Sequence, residues 1–80
     1  MQDPELFQRY LLGTTELLVA FAREAKRESD LALGTDAADF KTGYLCGFQR
    51  VITLMQQQAA AYGLETSDVG LDGIDGAELV

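Results

Sequence analysis

The sequence predicts an all-α protein: an antiparallel two-helix hairpin, completed by self-association into a helical bundle, with an acidic extended C-terminal tail. Three observations carry that prediction. Apolar residues recur at three- and four-residue spacing through two long stretches, a glycine separates the stretches, and residues 64–80 change to glycines, acids and isolated apolar residues.

The first helix is expected over about residues 4–30. Asp3 is placed to cap it, Pro4 suits the first helical position, and Glu5 faces the positive end of the helix dipole. Leu6, Phe7, Tyr10, Leu11, Leu17, Leu18, Phe21, Ala22 and Ala25 form its apolar stripe, with Gln8, Arg9, Glu16, Arg23, Lys26 and Arg27 opposite. The pattern weakens at Glu28, so 29–36 either continues the helix to Leu33 or forms a loop. Gly34 is the natural stop, and Thr35 or Asp36 the next cap.

The second helix is expected over about residues 36–62, ending at Gly63. Phe40, Tyr44, Leu45, Phe48, Val51, Ile52, Leu54, Met55, Ala59 and Tyr62 cover one half of its surface; Asp39, Thr42, Gln49, Arg50, Thr53, Gln56 and Gln57 cover the other. The short connection makes the two helices antiparallel neighbours. Residues 1–63 thus form the helical hairpin, and 64–80 an acidic, glycine-containing tail.

Gly43 and Gly47 raise a question of return. Each glycine inside a helix costs about 1 kcal/mol relative to alanine. Lying one above the other at the edge of the apolar half, the pair is expected to let another backbone approach closely: helix 1, or a second copy of helix 2. A bulky residue such as Gly43→Leu would then overpack the contact. Phe40, Tyr44, Phe48, Val51 and Met55 are expected to share that packing surface. The apolar arc of helix 1 spans roughly 200°, against the ~100° that one partner helix needs. Leu12 and Val19, a heptad apart, widen it on the charged side. Two helices cannot cover such faces for one another, so a second copy, another protein, or both are expected as partners.

Composition narrows the chemistry. An 80-residue chain buries only about 60% of its unfolded surface, so its core needs help. A single cysteine forms no internal disulfide, and the lack of histidine excludes zinc in any Cys/His arrangement. The net charge of −7 argues against nucleic acid and anionic membranes as partners. No apolar run approaches the roughly 20 residues of a membrane span. MQDPELFQ lacks the basic and apolar regions of a leader, and a lone thiol fits a reducing compartment, so a soluble cytoplasmic protein is expected.

No cofactor, metal or catalytic residue is expected. Without histidine, a nucleophile would need Lys, Asp or Glu as its base. Cys46 beside Arg50 could form a thiolate, but a small residue at a secondary contact is the simpler reading. Residues 68–79 approximate a calcium loop, but Gly70 and Leu79 occupy the third and twelfth places, where ligands belong. The tail reads either as a partner-binding segment, with Leu71, Ile74 and Leu79 as anchors and acids such as Asp72 and Asp75 setting preference, or as a solubilising terminus.

The stretch D-F-K-T-G-Y-L-C-G-F-Q-R-V (39–51) resembles the G-Y-x-x-G-F-x-R-V type of helix in small all-helical proteins of tailed bacteriophages and prophages. The resemblance implies a non-enzymatic protein that acts through protein contacts, in the host cytoplasm or the virion. Such proteins include assembly components and early proteins that bind and block host machinery; no functional residue carries over. Size, charge and architecture are also similar to the acidic helical-hairpin chaperones of bacterial secretion systems.

Overall fold

The structure is a computed structural model that describes residues 4–80; the expected cap at Asp3 lies outside the described residues. Helix α1 spans Pro4–Leu31 and helix α2 spans Ala38–Ala61. Two short 3-10 turns follow, Thr66–Val69 and Gly76–Leu79, and no strand occurs among the described residues. The helices pair as a hairpin in a body 51 × 22 × 17 Å.

The connection follows from Gly34, which takes the left-handed conformation at φ 80° and ends the helical run. Thr35 then holds the reversal: its Oγ1 donates to the Ala32 carbonyl at 2.6 Å and accepts from the Ala37 N–H at 3.3 Å. Helix α2 begins two residues later than expected, without a side-chain cap. At its far end Gly63 is left-handed at φ 76°. The Leu64 N–H bonds to the Ala59 carbonyl and the Gly63 N–H to the Ala60 carbonyl, the two bonds of a Schellman stop.

The seam between the helices is narrower than the apolar arcs. On α1 the buried positions are small residues, Thr15, Ala22, Ala25 and Ser29, with Ala32 just beyond the helix end and Leu11 and Leu18 packed half-buried beside them. On α2 Leu45, Ile52 and Ala59 are buried, with Phe48 and Met55 packed beside them. The alternating three- and four-residue spacing on both sides is that of a coiled-coil seam. Thr15 satisfies its buried hydroxyl by donating to the carbonyls of Leu11 and Leu12.

Residues 64–80 do not extend into solvent. They fold back along the hairpin, and Val69, Leu71, Ile74 and Leu79 are buried in the same core cluster as Ala22, Ile52 and Ala59. This corrects the expectation of an extended tail: Gly63 ends α2, but it does not end the core. Leu71, Ile74 and Leu79, expected as anchors for a partner, are used inside the chain, each no more than 5% exposed. The acids hold local turns. Asp68 accepts from the Glu65 N–H at 2.9 Å and Asp75 from the Ala77 N–H at 3.0 Å. Their physical role is capping.

The close backbone approach is at Gly70, not at Gly43 or Gly47. Gly70 is left-handed at φ 77°, and a Cβ there would overlap Thr15 Oγ1 and crowd Leu12 Cδ2 at 3.3 Å. At Gly43 and Gly47 an added Cβ meets nothing within 4 Å, so helix 1 does not use that pair and the overpacking expected for Gly43→Leu has no counterpart within the chain. Gly70→Ala is expected to cost about 2 kcal/mol or more, from backbone strain and overpacking together, read as a lower midpoint in a denaturant melt.

Candidate interaction faces

The hairpin has two flanks, and the tail covers one of them. On α1 its bed is Leu12, Glu16, Val19 and Arg23, which line the tail's contact side with Gly70, Gly73 and Ile74. On α2 it lies against Gln56, whose Nε2 donates to the carbonyls of Leu71 at 3.2 Å and Ile74 at 3.0 Å. The expected interface positions Leu12 and Val19 are therefore half-buried beneath the chain's own C-terminal segment.

Arg23 completes the attachment. Its Nε donates to Glu78 Oε1 at 2.6 Å, and one terminal nitrogen donates to the Gly73 carbonyl at 2.8 Å. Both side chains keep substantial contact with water, so the pair fixes where the tail sits more than how strongly it holds. The hydrogen bond from Arg23 lowers the Glu78 carboxyl below its ordinary range, against partial desolvation. The other charged residues of the 23–28 run pair elsewhere or stay at the surface: Lys26 bridges to Asp30 at 2.9 Å, and Glu28 to Lys41 across the hairpin at 3.0 Å.

The opposite flank is uncovered. Roughly 150° around each helix from the tail's bed stand Phe7, Tyr10, Leu17 and Phe21 on α1, and Phe40, Tyr44, Val51 and Leu54 on α2. All eight are between 44% and 72% exposed. In an antiparallel pair these two stripes fall on the same side, and Phe21 and Tyr44 line one shallow groove with Glu24, Ala25 and Glu28. Phe40 stacks on Tyr44 at a 6.5 Å centroid distance, and Tyr44 meets Phe48 edge-on at 5.1 Å, leading from the open flank toward the core.

The expected packing surface of helix 2 is thus divided. Phe48 and Met55 serve the core, while Phe40, Tyr44, Val51, Gly43 and Gly47 belong to the open flank. Asp72 and Asp75 are exposed beside the tail. They line an open hollow with Gln56 and Glu78, and no group of three metal-capable side chains occurs among the described residues. Cys46 is an exposed free thiol. No described helix is long and apolar enough to cross a membrane.

Gln56 is the residue whose role the sequence concealed. Within Gln56-Gln57-Gln58 nothing marks it out, except its place beside the Ile52–Met55–Ala59 seam. Comparison with protein-family models, curated proteins and solved structures finds no match for this chain.

Glu78, with its lowered pKa, stabilises the docked tail above the ordinary glutamate pKa; that contribution is lost as pH falls through the lowered value. The protection of the tail amides, measured against the intrinsic exchange rate at each pH, should therefore fall in acid, and Glu78→Gln should remove much of that pH dependence. Hydrogen exchange of residues 71–79 at neutral and acid pH checks both.

Proposed function

We propose that this chain is a non-enzymatic protein–protein interaction module that works as a homo-oligomer, an accessory or assembly protein of the phage type that residues 39–51 resemble. The observation that carries the reading is the uncovered flank: eight large apolar side chains on one side of a small hairpin, with the other side already occupied by the tail. Monomeric proteins rarely expose so large a contiguous apolar surface without a partner for it. The foreign-protein binder loses one of its two supports, because Leu71, Ile74 and Leu79 are committed to the core; the other, the surplus apolar face of helix 1, it shares with self-association.

Absolute mass by light scattering after size exclusion, from about 1 to several hundred μM, tests the reading. The expected result is a mass of two or more times the 8.7 kDa chain over the upper part of that range. A monomer throughout would overturn self-association.

A further inference from the structure

We infer that the uncovered flank is the seat of a second copy of this chain, packed face to face about a two-fold axis, giving a closed four-helix dimer with the tails outside. The inference rests on the homo-oligomer reading and adds its surface, stoichiometry and closure.

Area is the first support. A folded monomer of this mass exposes roughly 4,700 Å², whereas this chain exposes 5781 Å². An elongated body of 51 × 22 × 17 Å carries a surplus of that kind by its shape, so the relevant area is that of the flank itself, set against the ~800 Å² that each partner buries in a standard interface. The eight flank residues alone supply an area of that order, at about 100 Å² each, or half of a large apolar side chain.

Charge is the second. The tail holds five acids and no base, so most of the excess charge lies on the side away from the flank. On the flank Glu28 is already paired with Lys41, which leaves Glu24 as the charge beside the Phe21–Tyr44 groove. Arg9, one turn from Gly13, and Arg50, two turns from Gly43, stand at the edge of the flank, so the face has an apolar centre and a charged rim, which suits a self-complementary contact.

The interior glycines are the third. Gly13 on α1 follows Tyr10 by three residues and precedes Leu17 by four; Gly43 and Gly47 border Tyr44 and Val51 on α2. None has a neighbour within 4 Å of an added Cβ, so within one chain their helix-propensity cost has no return. A second copy crossing there supplies it, because its helices can come nearer where side chains are missing. Closure follows from the tail: with the other flank covered, an isologous contact uses the single open face on both copies and ends at two.

Two variants of the full chain test this by mass, from about 1 to several hundred μM. Tyr44→Glu places a charge in the proposed contact at an exposed position. Gly47→Leu fills open space in the monomer and improves helix propensity, so a loss of association there is not a loss of folding. Both are expected to weaken a wild-type dimer by at least about tenfold while keeping the helical circular dichroism, and Leu33→Glu at the hairpin turn should leave the mass unchanged. Wild-type association in either flank variant overturns the inference and leaves the homo-oligomer reading standing. So does a mass that grows beyond two chains. A monomeric wild type throughout overturns both.

Discussion

Two helices that meet along one seam leave their flanks in water, and in this chain that limit decides nearly everything else. The fully buried positions on the α1 side of the seam are Thr15, Ala22, Ala25 and Ser29, which contribute little apolar area, with Leu11 and Leu18 half-buried beside them. Leu45 and Ile52 supply the larger side chains from α2. Four more aliphatic residues come from the tail, so the chain's own end furnishes the burial that a disulfide or metal supplies in other domains of this size. Docking the tail in turn requires a backbone that comes close to α1, and Gly70 against Thr15 makes that approach.

Most of the hairpin was legible because helical periodicity and glycine stops act locally. Gly34 and Gly63 both take the left-handed conformation that ends a helix, and α1 ends one residue from its expected end. The excess width of the apolar arcs was legible too, but Leu12 and Val19, expected to face a partner, lie under the chain's own C-terminal segment. What covers them was not legible. Single apolar residues among glycines and acids look the same whether they dock in trans or in cis, since the choice depends on long-range geometry rather than local pattern. A local signal did exist: Asp68 three residues after Glu65, with Gly70 following, is the spacing of a capped turn with a left-handed end.

The acids of the tail illustrate how composition misleads about role. Read as a block, five carboxylates suggest acids that set partner preference or keep a terminus soluble. Resolved singly, Asp68 and Asp75 cap 3-10 turns, and Glu78 binds Arg23. Capping favours short acceptor side chains that reach their own backbone, which is why aspartate occupies those turns. Arg23 likewise changes meaning, from one member of a solvated basic run to the side chain that joins α1 to both the Gly73 carbonyl and Glu78.

The same limit gives the open flank its significance. A hairpin with two wide arcs needs two covers, and residues 69–79 supply one. They lie on the Leu12–Val19–Gln56 side, where Gly70 alone makes a glycine useful to the fold. Gly13, Gly43 and Gly47 lie on or beside the other flank, where a helix built only for its own stability would carry alanine or leucine. Their number and placement, together with eight half-exposed apolar neighbours, are what the proposed contact with a second chain would use. If the second cover is a copy of the first hairpin, each flank of the protein has its own glycine contact: Gly70 for the segment that arrives in cis, and the interior glycines of α1 and α2 for the one that arrives in trans.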